Sequence, residues 1–305
     1  MNREKIPEAY LNFIRQVGED FSLIQGLGGN CSVKFGSQMF VKSSGKRMRD
    51  VGSPDFFHEV RLIGDGGFED DVSTAPTRPS IEVFLHAAIK EKYVLHVHST
   101  AAIAVSMKLA SNPNESKRFS SNGILLLPYM RPGRELMLGI LGAETQRTLG
   151  LLLGNHGLLV ADNSVLGLYR RLKRIEKTLW EWIEHEGTKK SSIFSDYLDE
   201  QSKSEIVWHM RHNWRVTPDH VVFLGSFAPK ELLTLTDFCS VTKYLAAMGS
   251  ALKFTQVQLD QLRWYLQLAR SLGPKQLLGT LTAQEAEFLK TWQPELLRKA
   301  MSGEN

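Results

Sequence analysis

The sequence predicts an α/β fold, a central sheet covered by helices on both faces and continued by a mainly helical C-terminal part. Three observations carry this. Between residues 20 and 190, short apolar runs bounded by Gly, Asn and Pro alternate with segments of helical period. One strong strand, within YVLHVHST at 93–100, lies directly between two helical patterns. From 229 to 301 the spacing is helical almost throughout. No repeat, low-complexity tract or linker interrupts the 305 residues, so the expected division is a first unit, 1–210, and an extension, 211–305, packed on the same core.

PEAYLNFIRQVGEDF has apolar residues at helical spacing and is expected to stop near Gly18. The glycine cluster GLGGN at 26–30 leads into CSVKF and QMFVKSS, two short strands around the turn Phe35-Gly36-Ser37. Residues 51–78 are rich in Gly, Asp and Pro, with one strand near EVRLI. Thr77-Arg78-Pro79-Ser80 carries helix-start chemistry, and IEVFLHAAIKEK presents Val83, Phe84, Ala87 and Ala88 on one face. TAAIAVSMKLA is helical and begins at Ser99 and Thr100, GILLLPY at 123–129 is a strand, and RPGRE is a turn. TLGLLLGNHGLLVAD reads as two strands broken at Gly154-Asn155-His156-Gly157, followed by a long amphipathic helix from Ser164 to about Glu186. A helix near 195–212 and a strand DHVVFLG at 219–225 precede the final helical stretch.

Hydrophobic residues make up 42% of the chain and the formal net charge is +4, mixed in sign throughout, which argues for no particular nucleic-acid or membrane partner, so none is expected, and leaves acidic small molecules open. Cys31 and Cys239 are the two cysteines, so no disulfide framework or Cys-rich zinc module is expected. The start MNREKIPEAY has no apolar signal core and no run approaches the ~18 apolar residues of a membrane span, which gives a cytoplasmic expectation.

In a strand, alternate side chains share a face, so His96 and His98 project to one side while Leu95 and Val97 face the other. The pair is half of a metal site or a pair of hydrogen-bonded strand-edge histidines. His156 sits in a glycine-flanked turn suited to aiming a side chain into a cleft. Three imidazoles would leave an open position on a divalent metal, as catalytic zinc sites do. Glu82, near a helix start, is a fourth ligand, a general acid/base, or simply a helix-stabilising glutamate, with His86 its rival as a ligand. Tyr129 and Arg131, in PYMRPG, read as a proton donor and an anion contact or as loop packing, and Trp180 and Trp182 as core or subunit contacts.

GGNCSVK, FVKSSGKRMRD, RPSIEVFLHAAI, VLHVHST and LLGNHGLLVAD, in this order and spacing over roughly residues 7–190, resemble the class II aldolase/adducin family. PYMRPGRELM, TPDHVVFLG and EAEFLKTWQPELLRKAM resemble the longer branch containing the aldolase part of rhamnulose-phosphate aldolase/dehydrogenase fusions. The resemblance implies a three-layer α/β/α sandwich with a central mixed sheet, and a homotetramer with active sites at subunit boundaries. It implies metal ligation by His96, His98 and His156, usually of Zn²⁺, with Mn²⁺ or Fe²⁺ as alternatives, and acid/base work by Glu82. It also implies phosphate contacts from Gly29, Asn30, Ser44, Gly45 and Ser80.

The implied activity is retro-aldol cleavage of a small sugar or ketose 1-phosphate through a metal-stabilised enediolate. Epimerase or decarboxylase chemistry on a related sugar (acid) phosphate, and a noncatalytic adducin-like interaction module, are the alternatives. Two positions depart from the phosphate-binding pattern: Leu27 and Ile81 stand where hydroxyl residues are expected. Lys42 and Lys46 or Arg47 compensate by charge, or the substrate carries a carboxylate or no anion.

Overall fold

The computed structural model describes residues 6–64, 66–70, 77–110, 112–143, 148–212, 215–225, 235–272 and 281–301. Helix α1 (Glu8–Glu19) buries Tyr10, Leu11, Phe13, Ile14 and Val17 as one stripe. It ends at Glu19, one residue past Gly18, as the sequence leads one to expect. A Cβ at Gly18 would stand 2.2 Å from the backbone nitrogen of Arg49, in the 3-10 turn Met48–Asp50, so this glycine permits a close helix-to-turn approach.

The sheet contains β1 (Asn30–Phe35), β2 (Gln38–Lys42), β3 (Phe57–Leu62), β4 (Phe68–Glu69), β5 (Tyr93–Val97), β6 (Ile124–Leu127), β7 (Gly150–Leu153) and β8 (Gly157–Asp162). Their spatial order is β4-β3-β2-β1-β5-β8-β7-β6, antiparallel except for the parallel β6–β7 pair. Strand alternation divides the core. Cys31, Val33, Phe40, Leu95, Val97, Leu152, Leu158 and Val160 pack with α1, α3 (Thr100–Leu109) and α6 (Val165–His185). Val94, Leu151, Leu153 and Leu159 pack with Leu85 of α2 (Val83–Ala88) and with Leu136 and Ile140 of α5 (Arg134–Gly142). The result is the mixed-sheet, three-layer α/β/α arrangement. Helix α4 (Pro113–Ser121) links α3 to the β6 edge.

Helix α2 begins later than its sequence suggests. The Ser80 N–H donates to Lys42 O, the Ser44 N–H donates to Arg78 O, and Pro79 bridges to Ser43. This short ladder holds the 78–80 backbone extended, so Glu82 becomes the residue that precedes the first helical turn.

The segment expected as a strand at 219–225 is instead helix α9 (Pro218–Leu224). Thr217 accepts from the His220 N–H and Pro218 presets the first turn. Because His220, Val221, Phe223 and Leu224 are all buried, the run carried no polar face from which a period could be read.

After α6 come α7 (Lys190–Ile193) and α8 (Glu200–His212), and the extension also contains α10 (Val241–Leu252), α11 (Gln256–Leu272), α12 (Ala283–Thr291) and α13 (Gln293–Met301). Leu262, Trp264, Tyr265, Leu266 and Leu268 of α11 join the same apolar cluster as the sheet and α3. Trp264 Nε1 donates to Thr100 Oγ1 at 3.1 Å. Among the described residues, no helix is long and apolar enough to cross a membrane.

Candidate metal centre

β5 delivers His96 from its α2-facing side, because Leu95 and Val97 are committed to the opposite core. His98 follows at the strand end. His156 enters from the β7–β8 turn, whose closeness depends on glycine: a Cβ at Gly157, with φ +154°, would stand 2.2 Å from Val97 O and 3.2 Å from His96 Cε1. Glu82 arrives from the other layer at the start of α2. All four residues are buried, and each offers one ligand atom within 4.8 Å of the others. Ligands ~2.0–2.2 Å from a common zinc stand about 3.4 Å apart at tetrahedral corners, so this set is slightly wider than a closed site.

Polar satisfaction supports the same use. Glu82 Oε1, His96 Nε2, His98 Nε2 and His156 Nδ1 are buried without hydrogen-bond partners, which is costly in a core without a ligand for them. The other ring nitrogen of His96, Nδ1, donates to Leu158 O at 3.2 Å, leaving Nε2 free to ligate. The nitrogen-rich set with one carboxylate suits a divalent ion of zinc's type.

Glu82 Oε1 lies 3.1 Å from His156 Nε2, and Glu82 Oε2 lies 3.6 Å from His96 Nε2. Burial opposes ionisation of Glu82, yet the imidazoles of His96, His156 and His98 hold its carboxyl well below the usual range. Burial likewise opposes charge on His156, but Glu82 outweighs it and raises the imidazole. Burial pulls His96 down to about 3, so this ring is neutral and ready as a ligand.

A hydrogen-bonded chain orients Glu82 from behind. Asn30 faces His96 across the β1–β5 register, and its Nδ2 donates to Glu82 Oε2 at 2.5 Å and to Ser80 Oγ at 3.2 Å. His86 Nε2 donates to Asn30 Oδ1, while its Nδ1 takes the Ser32 hydroxyl proton at 2.8 Å. Burial, aided by Lys34, keeps His86 neutral, as that donor-and-acceptor role requires. His86 is thus engaged behind Glu82 and is absent from the ligand cluster.

Of the anion-contact candidates, Asn30 and Ser80 stand beside Glu82, with both side chains engaged there. The Ser44 N–H donates to Arg78 O beside the Ser43–Pro79 bridge, and Gly29 and Gly45 take left-handed conformations, φ +68° and +75°. Lys42 Nζ donates to Leu27 O and Lys46 O, tying the two loops together, and burial lowers this amine to about 8. Arg47 pairs with Asp260 of α11 at 3.5 Å. Leu27 packs against Phe223 and Val257, so its departure from a hydroxyl residue serves contact with the extension.

Tyr129 packs beside Val221, Leu281 and Leu289, with its hydroxyl buried and unpartnered. Arg131 stacks over Phe288 at 4.3 Å. Trp180 is buried in the main core, whereas Trp182 packs at its margin and donates to Glu115 Oε2 at 3.2 Å. Sequence reasoning assigned no role to Asp219, Glu295 or Arg298, three buried charged residues of the extension.

Several solved structures are similar to the chain. The N-terminal class II aldolase domain of a conserved protein from Thermoplasma acidophilum is 23% identical, covering 58% of this chain and 92% of that one at a TM-score of 0.49. An L-fuculose-1-phosphate aldolase from Thermus thermophilus is 20% identical, covering 59% and 95% at 0.46. A sugar-phosphate aldolase from Thermotoga maritima is 18% identical, covering 56% and 91% at 0.44. No curated protein matches the chain. The model of the class II aldolase and adducin N-terminal domain matches residues 9–182, more than half of the sequence, and the chain belongs to that family.

Proposed function

We propose that this protein is a metal-dependent lyase that cleaves a small sugar or ketose 1-phosphate by retro-aldol chemistry, with His96, His98, His156 and Glu82 as its centre. The observation that carries this reading is the convergence of four buried side chains, each with a polar atom that makes no hydrogen bond. When bound there, a divalent ion, Zn²⁺ by the donor set with Mn²⁺ or Fe²⁺ as alternatives, supplies Lewis-acid stabilisation of charge developing on the substrate.

The chain's own residues do the rest. Glu82, ionised and oriented by Asn30, accepts and returns a proton at its carboxylate. Asn30 is in turn held by His86 and Ser32. Gly29, Ser44, Gly45 and Ser80 present backbone and hydroxyl contacts to an anionic or hydroxylated end of the substrate. Because the Asn30 amide already serves Glu82 and Ser80, and Leu27 serves packing, a carboxylate or a neutral sugar end suits this site as well as a phosphate. Tyr129, its unpartnered hydroxyl held protonated by burial, is the proposed donor to the departing aldehyde. The assembly proposed is a cytoplasmic homotetramer with 1–210 as the catalytic unit.

The test is metal analysis followed by a substrate panel. Close to one equivalent of divalent ion per chain is expected, gained on adding Zn²⁺, Mn²⁺ or Fe²⁺ to stripped protein. A negligible fraction with no gain would favour the noncatalytic adducin-like module. With ketose phosphates, ketoses and oxo-acid phosphates, release of aldehyde together with dihydroxyacetone phosphate supports the aldolase. CO₂ release or stereochemical inversion without cleavage supports the decarboxylase or epimerase reading.

A further inference from the structure

The helical extension reaches the candidate centre through one carboxylate. Asp219 is the second residue of α9 and is 3% exposed. Its Oδ2 lies 3.3 Å from His98 Nδ1 and is buried with no hydrogen-bond partner. A buried carboxylate needs compensation, and α13 supplies it. Arg298 Nη2 donates to Asp219 Oδ1 at 2.5 Å, and Arg298 Nε stands 2.7 Å from Glu295 Oε2. Although burial opposes it, Arg298 and His98 hold the Asp219 carboxyl well below the usual range.

The glycine loop makes room for this pair. A Cβ at Gly28 would stand 2.5 Å from His98 Nδ1 and 3.0 Å from Asp219 Oδ2. On the far side of the same ring, His98 Nε2 is buried with no partner. An imidazole that ligates through one nitrogen is normally oriented by an acceptor on the other, which fixes both tautomer and ring direction. His96 has that acceptor in Leu158 O. His98 has Asp219.

We propose that Asp219 is a positioning residue of the metal centre: it takes the Nδ1 proton of His98 in a hydrogen bond and so presents Nε2 as the ligand, with Arg298 and Glu295 fixing Asp219. This rests on the reading that the four-residue cluster takes a divalent ion. It gives the extension a role in ion binding that lies outside residues 9–182, the span the family model matches.

The experiment uses the full chain, stripped of metal and titrated with Zn²⁺ against a chromophoric chelator, and with Co²⁺ to record its visible bands. Asp219→Asn is expected to weaken ion binding roughly 10- to 100-fold and to shift the Co²⁺ bands. Thermal unfolding of the stripped variant checks that it folds. Should the unpaired Arg298 prevent folding, Asp219→Asn/Arg298→Met, which removes both charges, carries the same expectation. Leu289→Ala loosens the same helical layer without touching the pair and is expected to leave affinity within about twofold, since its cost is to packing.

A folded Asp219→Asn or double variant with wild-type affinity and unaltered bands overturns the proposal alone. Loss of affinity in Leu289→Ala equal to that in Asp219→Asn also overturns it. A wild-type protein that takes up no ion overturns the metal centre as well.

Discussion

At the scale of single residues, Glu82 has both the most crowded surroundings and the sharpest prediction. One carboxylate faces three imidazoles in front and the Asn30 amide behind. Glu82→Gln preserves shape and one oxygen ligand but removes the proton acceptor. It is expected to retain metal while turnover falls by about two to four orders of magnitude, the usual contribution of a general acid/base. His96→Ala is expected to lose the metal itself, read by metal content after dialysis. Wild-type turnover in Glu82→Gln would show that another group moves the proton. His96, His98, Glu82 and His156 were legible because each sits in a short local pattern: an alternating strand, a helix start and a glycine-bounded turn. His86 was legible only as a histidine one turn on. Its hydrogen bond to Asn30 depends on the β1–β5 register and on the layer that brings α2 to the sheet. Asp219 was invisible as a candidate, since its partner lies 121 positions away and no local spacing encodes that approach.

At the scale of elements, seven strands were readable as short apolar runs bounded by turn residues, the two-residue β4 was not, and other errors fell where tertiary contacts decide. α9 is buried at all its residues but Val222, and α2 starts late because residues 78–80 pair with the end of β2. The long α6 followed its amphipathic period, yet it carries one residue the pattern does not explain. Glu176 is buried on its apolar face, with Oε1 unpartnered. Burial raises this carboxyl to about 7, against a smaller lowering by the Ser99 hydroxyl. A folded-state value above the unfolded one means that the native protein holds the extra proton. Its stabilising effect is complete below the unfolded value near 4.5 and is lost as pH rises through about 7. Glu176→Gln removes that dependence. It is expected to raise stability at pH 8 by about 3 kcal/mol at most, the free energy of a shift of that size, and to change it little at pH 4.5. Denaturant unfolding at the two pH values measures the difference. Equal effects at both would mean that Glu176 is ionised in the core.

At the scale of the whole molecule, the question is whether the extension is an appendage or part of one cooperative body. The contacts favour the second. α11 places Leu262, Trp264, Tyr265 and Leu268 in the same cluster as Leu95, Val97 and the alanines of α3. Arg270 then fastens the other end by donating to the carbonyls of Ser195 at 2.6 Å and Tyr197 at 2.7 Å. We propose that 1–210 and 211–305 unfold together, because separating them would expose both sides of a shared apolar core and leave the Trp264 and Arg270 donors unsatisfied. Calorimetry of the full chain is then expected to show a single transition. Trp264→Ala leaves a large cavity beside Thr100 and is expected to cost about 3–5 kcal/mol, lowering that transition as a whole without splitting it. Two transitions in the wild type, or a variant in which only the later-sequence helices melt early, would mark the extension as a separate unit. A separate unit could still carry Asp219 to His98, but melting it would then release bound ion before the sheet unfolds. In a single body, loss of ion and loss of the sheet signal coincide on heating.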